Sequence, residues 1–324
     1  MLRRLLLMVA AVLGAFIVFA VANNANWLRA AREAEPVLLA HRGMAQDFER
    51  AGLTGETCTA ARMLPPVHGF LENTLPSIAA AADAGADIVE IDVQPTADGA
   101  FVLFHDWTLD CRTEASGVTR ERTLADLRAL DIGHGYTADD GASFPFRRQG
   151  RGLMPTLEEA LATFPDLPFV INVKSDDPAE GVLLAGLLAE LPAARRDSLM
   201  VLGGARPVAE IEARLPGLVT GSRETIRACL VDYMIQGWTG IVPSSCQGRL
   251  LLVPVDDADW LWGWPDLFLD RMDRVGARVF VVAPLEGAFT RGLNDTDDLA
   301  LLPEGYTGGL STDRIDVVGP ALGR

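Results

Sequence analysis

Short apolar segments alternate along the chain with longer stretches in which apolar positions recur every three or four residues. The short segments have the length of buried strands, and the longer stretches have the periodicity of amphipathic helices. The predicted strands are residues 37–40, 87–93, 168–173, 198–202, 217–220, 250–253, 278–282 and 308–311. Predicted helices between them include residues 75–84, 156–163, 178–191 and 260–275. Eight strands alternating with helices predict an α/β protein, a (β/α)8 TIM barrel with a parallel sheet.

Two segments do not fit this repeat, residues 44–70 and about 109–152. We expect both to be insertions that follow strands at the C-terminal face of the barrel, where loops over an active site are built. No linker rich in Pro, Gly or Ser divides the chain into two domains. The pattern therefore predicts one barrel domain over residues 36–320.

Residues 1–24 form a separate N-terminal segment. After Arg3 and Arg4, an apolar run extends from residue 5 to residue 22 and is interrupted only by Gly14. Its length favours an uncleaved single-pass membrane anchor, while Ala-Val-Ala at residues 20–22 keeps open the alternative of a cleaved signal peptide. Because positive charges stay in the cytoplasm, both alternatives place the rest of the chain outside it, either at the cell membrane or as a secreted or periplasmic protein.

Composition and charge narrow the class of protein. Of 324 residues, 49% are hydrophobic and 22% are charged, which is typical of a globular protein. The formal charge of -16 argues against a nucleic-acid partner, because phosphate backbones are bound by clustered Lys and Arg. Proximity in sequence favours the disulfides Cys58 with Cys111 and Cys229 with Cys246, and four free thiols are the alternative.

Polar side chains interrupt two of the predicted strands. Glu90 and Asp92 lie two residues apart, so both point to one face of their strand. Adjacent carboxylates repel unless a cation lies between them, and oxygen ligands of this kind suit Mg²⁺ or Ca²⁺. A salt-bridged or solvated strand end is the alternative. Asn172 and Lys174 share the inward face of another strand, where an ammonium requires a phosphate or a carboxylate as its partner.

Two of the four histidines directly follow apolar extended segments. His41 and Arg42 come after the first strand, and His105 comes after residues 101–104. Histidine exchanges protons near neutral pH, and arginine binds phosphate through two parallel hydrogen bonds. These positions favour a general acid and base pair beside a phosphate site. We expect His68 and His134, which fall in the insertions, to be loop residues.

A tryptophan-rich sequence, Trp-Leu-Trp-Gly-Trp, occupies residues 260–264. Such residues could line a pocket for a choline head group or touch lipid. Packing within the core or along a helix is the simpler alternative.

An ordered set of motifs over residues 37–316 resembles the glycerophosphodiester phosphodiesterase family. The motifs are His-Arg-Gly at residues 41–43, Glu-Asn-Thr-Leu at 72–75, the strand region 85–93 with Thr-Ala-Asp-Gly at 96–99, His-Asp at 105–106, Pro-Thr-Leu-Glu-Glu at 155–159 and Gly-Leu-Ser-Thr-Asp-Arg at 309–314. Any one of these motifs is weak evidence, but the ordered set is specific.

The resemblance implies a barrel that hydrolyses glycerophosphodiesters to an alcohol and glycerol 3-phosphate with one divalent cation. It also implies a role for each matching residue: His41 and His105 as catalytic acid and base, Arg42 and Lys174 as substrate-binding residues, and Glu90 and Asp92 as metal ligands with Glu72 close by. The substrate is then a small or lipid-derived phosphodiester, and the N-terminal segment supplies the membrane contact.

The sequence departs from the family's pattern in three places. The family usually has an acidic third metal ligand where this chain has Asn172, whose neutral carbonyl can coordinate a cation only more weakly. The family's seventh strand carries Trp-Thr, which residues 279–283 replace in this chain. Residues 44–70 lengthen the connection between the His-Arg-Gly motif and the Glu-Asn-Thr motif. Two alternatives therefore stay open: a membrane-proximal lysophospholipase D-type enzyme, and a barrel that binds phosphodiesters without turnover.

Overall fold

A computed structural model describes residues 2–28, 32–54, 57–285 and 291–324. Residue 1 of the N-terminal segment, residues 55–56 of the first predicted insertion and residues 286–290 of the predicted barrel domain lie outside the described residues, as do residues 29–31. The described strands are β1 Val37–His41, β2 Ile88–Pro95, β3 Phe101–Leu103, β4 Phe169–Val173, β5 Leu199–Gly203, β6 Val219–Gly221, β7 Leu250–Pro254, β8 Arg278–Val282 and β9 Gly309–Thr312.

Eight of these strands form a nearly closed parallel barrel in the order β6-β5-β4-β2-β1-β9-β8-β7. The backbone N–H of Thr220 in β6 donates to the carbonyl of Gly248 at 3.2 Å, which brings β6 beside the start of β7. The short strand β3 pairs antiparallel with β2 outside this circle. Each predicted barrel strand overlaps an observed one, so the predicted fold class is confirmed.

Alternation along each strand divides the barrel interior into layers. The inward side chains of an apolar layer lie near the N-terminal ends of the strands: Leu39, Ile88, Val170, Met200, Leu250 and Phe280. Outward residues of the same strands, such as Val89 and Ile91, pack in the larger core beneath the helices. Because side chains alternate with a period of two, Glu90 and Asp92 point into the barrel above the apolar layer.

The helices are α1 Leu2–Asn24, α2 Leu75–Asp83, α3 Leu124–Arg128, α4 Leu157–Thr163, α5 Pro178–Ala189, α6 Ala193–Arg196, α7 Ala205–Arg214, α8 Arg223–Gln236, α9 Val255–Ala258, α10 Asp266–Arg274, α11 Thr296–Leu299 and α12 Ile315–Ala321. Capping boxes at Thr74 and Thr156 start α2 and α4. The predicted helix 260–275 is wrong in its first part. Gly263 has a left-handed φ of 80° and Pro265 disfavours helical backbone before it, so α10 begins at Asp266.

Both disulfides favoured by sequence proximity are present. Cys58 pairs with Cys111, which joins the two predicted insertions, and Cys229 pairs with Cys246, which ties α8 to the segment before β7. The insertions share a second apolar core that includes Met63, Leu127 and Tyr136. The division into residues 1–24, 36–320 and these insertions stays a prediction.

Replacing both Cys229 and Cys246 with alanine is expected to lower the free energy of unfolding by about 3 kcal/mol, the magnitude for a loop of about 15 residues. Both side chains are fully buried, and neither lines the active-site cleft described below, so activity at low temperature should change little. Urea denaturation of the double variant beside the parent chain measures the difference. An unchanged midpoint would show that this bridge adds no stability.

Helix α1 spans 23 residues and is long and apolar enough to cross a membrane, the one such helix in the described ranges. Length and composition fit both a membrane span and a signal sequence.

Candidate active site

The C-terminal ends of β1, β2 and β4 bring the predicted polar residues together. Strand register places His41 opposite Glu90 and Asp92 opposite Asn172. Lys174 directly follows β4, and its ammonium lies 3.2 Å from Asp92. Residues separated by as many as 133 positions along the chain therefore meet in one layer above the apolar floor of the barrel.

The turn after β1 is built around two left-handed residues, Arg42 with φ 62° and Gly43 with φ 75°. A Cβ at Gly43 would lie 2.8 Å from Oγ of Ser77, so the close approach of α2 requires glycine. Left-handed backbone is unfavourable for arginine, and such conformations persist where the surroundings enforce them. Here the Arg42 N–H donates to the carbonyl of Glu90 at 2.9 Å, and the guanidinium turns back over β2.

Asp92 is the centre of the charge network. Its carboxylate is fully buried and lies 3.2 Å from both Lys174 Nζ and Arg42 Nε. It also accepts hydrogen bonds from Asn73 Nδ2 at 2.9 Å and from Asn172 Nδ2 at 3.1 Å. Burial would raise the pKa of Asp92, but Lys174 and Arg42 outweigh it and hold the pKa well below its usual range. Asp92 is therefore ionised.

Glu90 lies beside Asp92 with fewer donors. Its Oε2 accepts from the Arg42 N–H at 3.2 Å and is 3.8 Å from His41 Nε2. Its buried Oε1 has no hydrogen-bond partner in the described part of the chain. Burial, and then the charge of Asp92, raise the pKa of Glu90. A buried carboxylate oxygen without a donor can be satisfied by a cation, a water molecule or a proton.

The donor chemistry fits a divalent cation at the Glu90 and Asp92 pair, because both are hard oxygen ligands on one face of β2. The fit is limited to that pair. Glu72 is held by Arg42 at 3.1 Å and by Arg112 at 3.2 Å, and within the described ranges no three His, Cys, Asp or Glu side chains converge as a metal cluster. Asn172 directs its amide nitrogen at Asp92, so its part as a third ligand stays a prediction.

His41 is oriented by Asp313, a residue to which the sequence assigned no role. Nδ1 of His41 lies 2.6 Å from Oδ1 of Asp313 and donates to it, and Nε2 accepts from Arg42 Nε at 3.2 Å. Loss of bulk water and the charge of Arg42 act to lower the pKa of His41, but Glu90 and Asp313 outweigh them and raise it. Arg50 of the first insertion also contacts Asp313, at 3.2 Å.

His105 has a matching carboxylate in Asp106. Nδ1 of His105 lies 2.7 Å from Oδ1 of Asp106, whose Oδ2 accepts from Arg112 Nε at 2.8 Å. Burial, followed by the charge of Arg42, lowers the pKa of His105 to about 4, although Asp92 and Asp106 act in the opposite direction. Nε2 of His105 therefore carries a free lone pair near neutral pH.

A cleft of about 1020 Å³ opens above these residues. His41, Arg42, His105 and Lys174 lie on its lining. The insertions supply other walls, Phe48, Arg50, Leu53, Cys58 and Cys111, and Trp107 lies just before the second insertion. The cleft thus has a charged floor and an apolar side wall.

The structure also places the polar and aromatic residues that the predicted site does not use. Nδ1 of His68 accepts from Gln46 Nε2 at 2.9 Å, and neither His68 nor His134 lines the cleft. Trp264 packs against Phe268 and Tyr306. None of the three tryptophans at residues 260–264 lines the cleft, so they form no head-group pocket there.

Sequence reasoning missed Asp313, Asp106 and Arg112 as partners of the site. Asp106 and Asp313 lie in motifs named above, close to a strand end, whereas Arg112 lies six residues after Asp106. Asp106 follows a catalytic-type histidine by one residue, and this spacing is the signal that could have assigned Asp106 to the site. Asp313 is 272 residues from His41, and no local pattern connects them.

Comparison with known proteins relates this geometry to one family. The model of the "Glycerophosphoryl diester phosphodiesterase family" matches residues 41–184, a range that contains His41, His105, Lys174 and the carboxylate pair. A glycerophosphodiester phosphodiesterase from Caldanaerobacter subterraneus is 35% identical over 103 residues, which are 32% of this chain and 39% of that protein. The chain therefore matches well under half the length of that relative.

Solved structures share the fold at lower identity. The chain is similar to the glycerophosphoryl diester phosphodiesterase domain of a protein from Mycobacterium tuberculosis, with TM-score 0.63, 20% identity, and coverage of 89% of this chain and 99% of that one. A phosphodiesterase from Oleispira antarctica, solved in complex with the product sn-glycerol-3-phosphate, has TM-score 0.52, 19% identity, and coverage of 89% and 97%. At these identities the similarity shows the barrel fold.

Proposed function

We propose that the chain hydrolyses glycerophosphodiesters to an alcohol and glycerol 3-phosphate, because residues 41–184 match the model of the glycerophosphoryl diester phosphodiesterase family. The observation that supports this most strongly is the pair of histidines on one cleft, His41 with a raised pKa and His105 with a lowered one. Two titratable groups with opposite shifts are what acid and base catalysis at one pH requires. The product seen in the Oleispira antarctica structure agrees with this reaction.

The opposite pKa shifts support one distribution of the two roles. Neutral His105 accepts a proton from the attacking hydroxyl through Nε2, because Asp106 holds its Nδ1. In its protonated form His41 carries a proton on Nε2 in place of the hydrogen bond from Arg42 and gives that proton to the leaving alkoxide, because Asp313 holds its Nδ1. Asp106 and Asp313 are positioning residues that fix the tautomer and ring orientation of each histidine.

Arg42 and Lys174 bind the phosphate in this proposal. Both are within 3.2 Å of Asp92 and both line the cleft, so a phosphate can share their charge without moving the backbone. A divalent cation, Mg²⁺ or Ca²⁺, held by Glu90 and Asp92 with Asn172 as a candidate third ligand, would supply further positive charge to the phosphorane oxygens. The length of α1 supports a membrane-anchored chain, and Arg3 and Arg4 at its start favour a barrel domain, residues 36–320, outside the cytoplasm.

A second candidate is a lysophospholipase D-type reaction at the same site. The apolar wall formed by Phe48, Leu53 and Trp107 favours it, because an acyl chain gains free energy by covering such surface. The chemistry at phosphorus and the choline leaving group are the same for both substrates, so only the fit of the glycerol side, which carries an acyl chain in the lysophospholipid, separates them.

The test uses the full chain in detergent with glycerophosphocholine or lysophosphatidylcholine, each with Mg²⁺, Ca²⁺, Mn²⁺ or EDTA. The proposal expects cation-dependent release of choline with glycerol 3-phosphate as the second product, and none from the His41→Ala variant. Lysophosphatidate as the second product, with no turnover of glycerophosphocholine, would favour the second candidate. No release from either substrate would leave a barrel that binds phosphodiesters without turnover.

The pH dependence of kcat/KM should reflect His105. Since its pKa is lowered to about 4, the proton-accepting form persists well below the ordinary histidine range, and activity should fall only as the pH drops toward that value. Rates with glycerophosphocholine at constant ionic strength, from about pH 4 to about pH 8, give the position of this acid limb. An acid limb near the ordinary histidine pKa would contradict the assignment of His105 as the base.

The cation site has a readout that is independent of activity. Asn172→Asp removes the hydrogen bond to Asp92 and places two carboxylates side by side, so the variant should melt below the parent chain in EDTA. Mg²⁺ or Ca²⁺ should then raise its Tm more than it raises the Tm of the parent, because binding to the folded state stabilises it. Thermal melts with and without cation measure both changes. Equal shifts for the two chains would argue against a cation beside residue 172.

A further inference from the structure

An apolar stripe is exposed on helix α8. Val231, Met234, Ile235 and Trp238 follow the spacing i, i+3, i+4 and i+7, which aligns them on one face of the helix and its continuation. Val231 is 39% exposed, Met234 40% and Ile235 69%. Surface helices normally direct such a stripe at the core, so an exposed one indicates a partner.

Helix α1 docks at the C-terminal end of this stripe. The ring of Phe16 lies 4.9 Å from that of Trp238, and the ring of Phe19 lies 6.2 Å from it. Asn23 and Asn24 both donate to the carbonyl of Trp238 at 3.0 Å. Of the residues in α1, only Ala20 is buried, so the helix otherwise projects away from the barrel.

A buried arginine joins α1 to the barrel. Arg271 is 3% exposed and donates to Asn24 Oδ1 at 2.8 Å and to the carbonyl of Asn23 at 3.0 Å. The same guanidinium donates to Tyr233 of α8 at 2.9 Å and to the carbonyl of Gly237 at 3.2 Å. Because these bonds connect the end of α1 with the end of α8, the two helices form one unit.

The length of α1 determines how deep Trp238 lies if α1 spans a bilayer. Phe16 is eight residues before Asn24, about 12 Å along the helix axis. The apolar run up to Phe16 begins at residue 5 and is about 18 Å long, well short of the roughly 30 Å hydrocarbon core. The helix must therefore use the turns around Phe16 and Phe19 to span, which brings Trp238 to the bilayer surface.

A second tryptophan extends the stripe. Nε1 of Trp262 donates to the carbonyl of Met234 at 2.9 Å, and the Trp262 side chain is 37% exposed. Tryptophan with an apolar body and a satisfied N–H is enriched where proteins meet lipid head groups. We refer to Val231, Met234, Ile235, Trp238 and Trp262 together as the α8 face.

We propose that the α8 face lies in the head-group region of the bilayer that α1 enters. The proposal depends on α1 being retained as an anchor, and it does not depend on the proposed catalytic activity. Interfacial helices of this kind bury an apolar face about 5–10 Å into the boundary between head groups and acyl chains. The barrel is thus attached to the membrane at two adjoining places, α1 and the α8 face.

This attachment orients the cleft. Helix α8 begins directly after the C-terminal end of β6 and returns toward the N-terminal end of β7, so Trp238 lies at the end of the barrel opposite the cleft. A barrel held by that end presents its cleft to the aqueous phase. Diffusible phosphodiesters then reach the site more readily than lipids that remain in the same bilayer.

The test places a fluorescent label at Ile235 and measures its depth. The Ile235→Cys full chain is labelled with an environment-sensitive dye, reconstituted in phosphatidylcholine vesicles, and quenched by phosphatidylcholine that carries a nitroxide on its acyl chain. Leu183→Cys on α5 is the matched control, since Leu183 is also an exposed apolar helix residue at 50% exposure. Val231→Cys provides a second position on the α8 face, and mass spectrometry verifies that α1 is present.

We expect the labels at residues 235 and 231 to show blue-shifted emission and quenching severalfold stronger than the label at residue 183. If all three labels are quenched equally, or if the full chain does not float with the vesicles, the proposal is wrong. Dye emission in detergent without vesicles gives the reference for each position.

Discussion

Replacing His105 with alanine should lower kcat for glycerophosphocholine by about 10²–10⁴-fold, the range for loss of a general base. The residue has the properties of such a base: a neutral ring at pH 7 because its pKa is about 4, an Nδ1 held by Asp106, and an Nε2 on the cleft. KM should change much less, because His105 is not among the proposed phosphate ligands. Steady-state kinetics with saturating substrate separates the two constants.

Two further variants test this assignment. His134→Ala, which changes a histidine outside the cleft, should leave kcat unchanged. Asp106→Asn should lower kcat by less than His105→Ala does, since the ring remains but its tautomer is no longer enforced. If His105→Ala retained nearly full kcat while folded, the base would have to be another group.

Replacing Asp92 with asparagine should destabilise the folded chain by about 3–5 kcal/mol, the cost of removing one partner from a buried ion pair. Asp92 is fully buried between Lys174 and Arg42, and its replacement removes the carboxylate that these two cations share, leaving Arg42 with Glu72. The low pKa of Asp92 means that the stabilising charge is present at neutral pH and is lost only in strong acid. Denaturant unfolding followed by circular dichroism measures the change.

The matched control is Asp98→Asn, which changes an exposed aspartate on the turn after β2 that accepts hydrogen bonds from Thr96 and Leu124. It should alter stability by well under half as much, because solvent screens an exposed charge. A folded Asp92→Asn chain should also have lost activity at every cation concentration. Similar stabilities for the two variants would show that the charge network around Asp92 does not hold the barrel together.

The barrel strands were predictable because parallel strands buried on both faces leave short apolar runs with defined ends. Strand β3 pairs antiparallel outside the barrel, and the sequence marked it only as an extended segment before His105. The predicted helix 260–275 was wrong where Gly263 and Pro265 break it, although apolar residues continue through the break. Local backbone chemistry there outweighs the periodic pattern.

Some residues of the candidate site were identified from spacing along one strand, and others were identified only from contacts between distant segments. Glu90 and Asp92 were assigned together because two residues along one strand must share a face. Asp313 and Arg50 could not be assigned to His41, because they approach it only when β9 pairs with β1 and the first insertion folds over the cleft. Contacts between segments far apart in the chain are determined by strand pairing, which one sequence does not display.

The sequence by itself determined the family resemblance, the barrel class and the residue types at the ends of β1, β2 and β4, because these depend on period, spacing and motif order. Only the tertiary structure decided which histidine has the higher pKa, which carboxylate oxygen lacks a donor, and where α1 meets α8. Each of these depends on the distances between charges and on burial, and those quantities exist only once distant segments have packed together.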